Sequence, residues 1–359
     1  MDDFCGALIH GGDAQGFAAR YGAAPLDFSA NVNPLGIPNG VRQAICTAAD
    51  GADRYPDPLC RALRLAIARY ENVKPEQVFC AAGAAEIIYR LALALKPKRA
   101  LIPAPTFAEY ELALICQGCA VERHLLKAED EFTLTEAVLP QLHQGIDIMF
   151  LCNPNNPTGK LVSPTLMEAI LKRCAAYHIR LVVDECFLGF MQQHEGRTLR
   201  PMLGQYKKLV LLKAFTKLYG MAGVRLGYCL CNDAELMQRL YEAGPPWNVS
   251  SLAQQAGIAA LSERTYLEKS RALIATEQPR MTAALLALGL RVIRSEANYI
   301  LFFCTLSQLG EKLCQRGVLI RSCANFEGLG EGWYRVAVRT PQENARLLMT
   351  MKQVVEGIE

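Results

Sequence analysis

The sequence has no apolar run that approaches the length of a membrane span, which excludes a chain threaded through a bilayer by such helices. Its first residues, Met1-Asp2-Asp3-Phe4, lack a basic stretch with an apolar run behind it, so no secretory signal is expected. Excess charge of one sign is missing too. The 38 Lys and Arg against 35 Asp and Glu leave a net +3, scattered along the chain. That gives no basis for nucleic acid or a membrane surface as a partner. Internal repeats and low-complexity segments are absent, which excludes solenoids and arrays. Histidine is scarce, and His124, His143, His178 and His194 show no metal-ligand spacing, so no metal is expected. Cysteine is plentiful, with 14 residues, but these sit in apolar segments such as Tyr228-Cys229-Leu230-Cys231. They read as buried, reduced thiols of a cytoplasmic protein. Cys116-Gln117-Gly118-Cys119 has redox or zinc spacing, yet no second Cys or His pair stands near it, and a helix end is the better reading.

What is present is a long globular chain, 359 residues with 51% hydrophobic and 20% charged, enough for two domains. Residues 1–35 carry Gly11-Gly12, Pro25 and Pro34 and read as an irregular arm. Apolar spacing of three and four predicts helices near 38–49, 59–71, 85–95 and 107–117, with Pro58 opening the second. Short apolar runs at 77–81, 99–103, 147–152, 180–184, 208–212 and 226–231 predict buried parallel strands. Ser163-Pro164 opens a further helix to about 175. The succession implies an α/β domain over 36–245, a mainly parallel sheet between helices. Beyond Pro245-Pro246 the texture changes. Helices at 250–262, 264–289, 306–316 and 342–357 alternate with strands near 291–303, 317–321 and 333–338, a smaller α+β domain over 246–359.

Ligands of such sheets bind at the carboxyl ends of the strands. There the chain places Asn156 in Asn153-Pro154-Asn155-Asn156-Pro157-Thr158-Gly159, then Asp184-Glu185, then Lys217 in Ala214-Phe215-Thr216-Lys217-Leu218-Tyr219-Gly220, then Arg225-Leu226-Gly227-Tyr228. A hydrogen-bonding amide, a carboxylate, an amine and a guanidinium in that order suit a pyridoxal phosphate ring. Lys217 supplies the Schiff-base amine, Asp184 holds the ring nitrogen's proton, Asn156 bonds the ring hydroxyl and Arg225 neutralises phosphate. Taken singly, each has a plainer reading: Lys217 as a solvated strand-end charge, Asp184-Glu185 as a helix cap, Asn153 to Gly159 as a turn, Arg225 as half of a surface ion pair.

With these motifs the chain resembles aminotransferase-type pyridoxal-phosphate enzymes of fold type I. Within that superfamily it is similar to the threonine-phosphate decarboxylases of cobalamin synthesis and, more loosely, to histidinol-phosphate aminotransferases. The nearer likeness rests on His10-Gly11-Gly12, Asp27-Phe28-Ser29-Ala30-Asn31-Val32-Asn33-Pro34-Leu35-Gly36, Arg54-Tyr55-Pro56-Asp57, Arg321-Ser322-Cys323-Ala324-Asn325 and Tyr334-Arg335-Val336-Ala337-Val338-Arg339. The resemblance implies that Phe107 stacks on the ring and that Gly83, Ala84 and Ala85 turn their amides to the cofactor phosphate. It implies that Thr216 adds to that phosphate site and that Tyr55 reaches it from a partner subunit, in a homodimer. Arg335 is expected on the substrate carboxylate. Arg321, Asn325, His10, Arg339 and Asn31 are the candidates for the rest of a phosphorylated amino acid.

Three positions depart from the family pattern. Ala214 stands where a serine hydroxyl usually holds the phosphate, Ala84-Ala85 lacks a second hydroxyl, and Phe187 replaces a tyrosine that contacts the ring hydroxyl in aminotransferases. Phe187 favours the decarboxylase group. The expectation is therefore a cytoplasmic lyase acting on O-phosphothreonine. An aminotransferase, or a catalytically impaired binding protein on the same fold, is the alternative.

Overall fold

The computed structural model describes residues 10–357. Residues 1–9 of the expected N-terminal arm, and the last two residues, lie outside the described part. Among the described residues, thirteen strands fall in three sheets. In chain order they are β1 (Leu26–Asp27), β2 (Val78–Ala81), β3 (Arg99–Ala104), β4 (Ala120–Leu125), β5 (Ile148–Cys152), β6 (Arg180–Asp184) and β7 (Leu209–Ala214). There follow β8 (Gly227–Cys231), β9 (Arg291–Ile293), β10 (Tyr299–Phe303), β11 (Val318–Leu319), β12 (Arg321–Ser322) and β13 (Trp333–Ala337).

The main sheet has seven strands in the order β2-β8-β7-β6-β5-β3-β4. Its central strands are apolar through their middles because both faces are covered, and side chains alternate between the faces. Met149, Leu151, Leu181, Val183, Leu209 and Leu211 pack on one side, with the helices Arg61–Glu71, Pro164–Ala176 and Ser251–Ala260. Ile148, Phe150, Val182, Val210 and Leu212 pack on the other, with Ala84–Leu95, Glu109–Ile115 and Ala234–Glu242. Each fully buried Leu, Ile or Phe adds roughly 1.5–3 kcal/mol, so burial on two faces is what fixes these short strands in register.

The strands expected near 77–81, 99–103, 147–152, 180–184 and 208–212 are all found. The expected parallel direction of the sixth is corrected: β8 runs antiparallel to both its neighbours, β2 and β7. Residues 215–226, a one-turn helix and a further turn, return the chain beside β7 as an antiparallel neighbour. The edge strand β4 had no forecast, because its half-exposed Ala-Val-Glu-Arg-His-Leu is apolar at neither every nor every second residue. Pro58 does not open its helix. The helix begins at Arg61, and the Asp57 carboxylate takes the Arg61 N–H at 2.6 Å.

The second sheet, β12-β13-β10-β9, is wholly antiparallel and packs against Arg264–Ala287, Leu309–Cys314 and Pro341–Glu356. The run expected as one strand near 291–303 is a pair, β9 and β10, separated by a turn. Residues 10–35 are not irregular throughout. Ala14–Tyr21 is a helix whose N-cap Asp13 accepts the Gly16 N–H, and β1 pairs in parallel with β11. The arm thereby joins the C-terminal part of the chain.

Candidate active site

The parallel strands end together, and their ends open on one cavity of about 200 Å³. Asp184, the last residue of β6, faces it and is buried. The next residue, Glu185, points the opposite way, where Thr198 donates to it at 2.7 Å and Lys213 lies 3.5 Å off. Strand alternation has split the acidic doublet, and only Asp184 belongs to the cavity. Burial raises the Glu185 carboxyl above its ordinary value, against the pull of Lys213.

Lys217 sits in a one-turn helix, Phe215–Leu218, at the end of β7. Its carbonyl accepts from the Asn33 N–H at 3.0 Å, and the Asn33 amide donates to Leu218 O and Ser270 Oγ, both at 2.7 Å. The Asn31-Val32-Asn33 segment thus pins the lysine loop to the N-terminal arm. Burial, reinforced by the Arg335 charge, lowers the Lys217 amine to about 8. Its neutral fraction is therefore raised well above that of a free lysine, as a nucleophile requires.

The remaining cations gather around it. Arg225 takes a left-handed backbone, φ 59°, which for a non-glycine residue stores strain. Its guanidinium lies against Gly83, where an added Cβ would stand 2.8 Å from Nη2. Gly83, at φ 101°, caps the helix Ala84–Leu95, and no side chain occupies the cap. The Gly83 N–H, expected to face the phosphate, instead donates to Ala81 O at 2.7 Å. The helix-start amides of Ala84 and Ala85 and the Arg225 guanidinium converge, an arrangement that suits a phosphate. Thr216, Ala84, Ala85 and Ala214 also line the cavity, so the positions lacking hydroxyls face it.

Across the cavity, Arg335 on β13 is buried. It donates to Asn156 Oδ1, and to Ser29 O at 3.0 Å, while its Nε has no partner among the described residues. Burial lowers its proton affinity. The Asn31 Oδ1, also buried, is likewise without a partner among the described residues. Arg321 lines the cavity, donates to Asn325 Oδ1 at 2.8 Å and stacks over Phe326. His10 meets Glu109 at 2.5 Å and tilts against Phe107, ring centres 5.5 Å apart. Phe187 lines the cavity edge-on to Tyr299.

Four expected residues do not line the cavity: Asn325 and Gly83 sit behind Arg321 and Arg225, while Arg339 and Tyr55 lie elsewhere. Arg339 does not line the cavity. Its Nη2 pairs with Glu343 at 2.6 Å, beside the capping box that Thr340 and Glu343 form at the start of the last helix. Tyr55 is 81% exposed and stacks on Trp247, away from the cavity of its own chain. Two residues bear on the site without having been foreseen. Tyr110 donates to Asp184 Oδ2 at 2.6 Å, and the Cys186 N–H donates to Oδ1 at 2.9 Å. The available signal for Tyr110 was its spacing of three from Phe107 on the expected helix over 107–117.

Asp184 is the single carboxylate lining the cavity among the described residues, against Lys217, Arg225, Arg321 and Arg335. Arg321 and Arg335 are buried, Lys217 is partly buried and Arg225 is exposed; cations in such excess over one acid call for an anionic ligand. Pyridoxal phosphate fits the donor set: amides and Arg225 for its phosphate, a carboxylate for its ring nitrogen, an amine for its aldehyde, and Arg335 left for a further anion. Among the described residues no cluster of His, Cys, Asp or Glu could hold a metal ion, and no helix is long and apolar enough to cross a membrane.

An α/β fold with a smaller C-terminal part, and an amine, an acid and a guanidinium-flanked helix start at its strand ends, is that of fold type I enzymes, and the chain belongs to the aminotransferase class I and II family, whose model matches residues 24–350. Among individual proteins it is 39% identical to the threonine-phosphate decarboxylase of Salmonella typhimurium, over 97% of each chain. It is 31% identical to the histidinol-phosphate aminotransferase of Methanothermobacter thermautotrophicus, over 92% of this chain and 89% of that one. The crystal structure of the histidinol-phosphate aminotransferase from Clostridium acetobutylicum superposes with a TM-score of 0.87 at 28% identity, covering 92% of this chain and 99% of that one.

Proposed function

We propose that this protein is a pyridoxal-phosphate-dependent lyase that decarboxylates O-phospho-L-threonine to aminopropanol phosphate, as cobalamin synthesis requires. The observation that carries the proposal is the excess of guanidinium groups lining the cavity. After Arg225 is assigned to the cofactor phosphate, Arg335 and Arg321 remain on the cavity wall, enough for a substrate bearing both a carboxylate and a phosphate. The 39% likeness to a threonine-phosphate decarboxylase, above the 31% to a histidinol-phosphate aminotransferase, supports the same substrate. So does Phe187, whose ring offers no hydroxyl to the cofactor.

Bound pyridoxal phosphate supplies an electron sink for the pair left on Cα when one of its bonds breaks. In this reading Asp184 keeps the proton on the ring nitrogen, since a buried anion favours the cationic partner. Asn156 bonds the ring hydroxyl and Phe107 covers one ring face. Thr216, with the amides of Ala84 and Ala85, holds the phosphate beside Arg225. Arg335 grips the substrate carboxylate, and Arg321, with Asn325, His10 and Asn31, holds the substrate phosphate. Two anchored anions fix the rotation about the Cα–N bond, and that rotation decides which Cα bond stands perpendicular to the ring. Once carbon dioxide has left, the Lys217 ammonium returns a proton to Cα. Arg339, paired with Glu343, serves the fold. Tyr55 is assigned to the neighbouring subunit's phosphate site in a cytoplasmic homodimer.

The deciding experiment supplies the protein and cofactor with O-phosphothreonine whose carboxyl carbon is labelled. Stoichiometric labelled carbon dioxide and aminopropanol phosphate are expected. Amino transfer to 2-oxoglutarate with no carbon dioxide would assign an aminotransferase instead.

A further inference from the structure

We infer that Tyr110 is a positioning residue that orients the Asp184 carboxylate toward the cofactor's ring nitrogen, an inference that rests on the cofactor assignment above. A carboxylate at a strand end is free to rotate about χ2, and only one orientation aims an oxygen along the ring plane. Here both oxygens are engaged. Oδ2 accepts from the Tyr110 hydroxyl at 2.6 Å and Oδ1 from the Cys186 amide at 2.9 Å. Each oxygen keeps a second lone pair for a ligand. The bond to Tyr110 is short, as expected for a donor facing an ionised acceptor. Burial, together with the Asp184 charge, raises the phenol well above its ordinary value, so it stays protonated and remains a donor throughout the working pH range.

The phenol is itself rigidly held. Tyr110 is fully buried, stacks on Phe150 with ring centres 5.1 Å apart, and meets Phe107 edge-on at 5.6 Å. Phe107 and Tyr110 are three residues apart at the entry to the helix Glu109–Ile115, so they lie on the same side of one turn. One turn thus carries both the aromatic face set for the ring and the clamp on the acid at the ring's edge. A shift of that turn moves both together, which keeps the stacking distance and the carboxylate's aim matched. Nothing about a tyrosine at position 110 serves the apolar core better than phenylalanine would, because a fully buried hydroxyl is costly without its partner.

The test compares Tyr110→Phe with the unaltered holoenzyme, alone and combined with Asp184→Ala. The readouts are the cofactor dissociation constant and the magnetic resonance signal of isotope-labelled ring nitrogen. Losing one hydrogen bond to a charged group should weaken cofactor binding roughly tenfold and move the nitrogen signal toward the unprotonated form. In the Asp184→Ala background the same substitution should change binding by less than about twofold, since the phenol then has no carboxylate to aim. An unchanged nitrogen signal, or an equal loss in both backgrounds, would assign Tyr110 to packing alone. Should Tyr110→Phe fold poorly, fluorinated tyrosines placed at 110 alter the phenol's acidity while keeping its place. A graded movement of the nitrogen signal supports the clamp, and none overturns it. If the unaltered protein takes up no cofactor at all, the cofactor assignment itself falls, which is distinguishable from a holoenzyme indifferent to Tyr110.

Discussion

The amine of Lys217 is the residue whose environment departs furthest from solution behaviour in a way that chemistry can use. Burial lowers it to about 8, and Arg335 and Arg225 assist. A lowered ammonium binds fewer protons in the folded chain than in the unfolded one between about pH 8 and its ordinary range. Stability of the cofactor-free protein should therefore rise with pH across that window and flatten beyond it. Lys217→Met removes the dependence, which denaturant titrations at several pH values would detect. Cofactor attachment should accelerate about tenfold per pH unit below 8 and level off above it, as the neutral fraction dictates, and stopped-flow absorbance would follow it. Ala214 offers a second test. A hydroxyl there would add one neutral hydrogen bond, about 1 kcal/mol, so Ala214→Ser should tighten cofactor binding roughly fivefold in equilibrium dialysis. Both positions were legible in the sequence, because each stands just past the apolar run 209–212. The clamp by Tyr110 was not, since its partner Asp184 is 74 residues away.

At the scale of elements, the cradle proposed for the phosphate is the meeting of a helix start with a turn. Gly83 is needed there twice over. Its φ of 101° lies where L side chains are strained, and a Cβ would stand 2.8 Å from the Arg225 guanidinium. Gly83→Ala should displace Arg225 and cost about 1–3 kcal/mol of stability, with cofactor affinity falling alongside; thermal melts with and without cofactor separate the two losses. The last helix makes the contrasting case. Arg339 reads in sequence as one more basic residue beside Arg335. Yet strand β13 ends at Ala337, and Arg339 leans on Glu343 of the capping box instead. Arg339→Ala should lower the melting temperature through a weakened helix start while leaving the Michaelis constant for the phosphorylated substrate within about twofold. The direction of β8 likewise escaped the sequence: apolar runs report burial on both faces but carry no sign for strand direction.

For the whole molecule, the decisive question is whether one chain completes its own site. Tyr55 is 81% exposed and stacked on Trp247 rather than turned inward. If it serves a neighbouring subunit, mixing Tyr55→Ala with Lys217→Ala chains should restore activity that neither has alone. Random pairing makes half the dimers mixed, each with one intact site, so about a quarter of full activity is expected. Size-exclusion chromatography with activity assays would check it, and additive residual rates alone would place Tyr55 outside the site.

What the sequence by itself determined were the covered strands, the order of acid, amine and guanidinium along them, and the family likeness those motifs carry. These follow from local chemistry: apolar runs, strand ends and glycine turns are written in neighbouring residues. Tertiary structure alone decided that Asp184 and Glu185 face opposite sides, that Tyr110 clamps one of them, that the arm through Asn33 pins the lysine loop, and that Arg335 rather than Arg339 enters the cavity. Each depends on contacts between residues far apart in the chain, where the energy lies in the geometry of the meeting and not in either residue type.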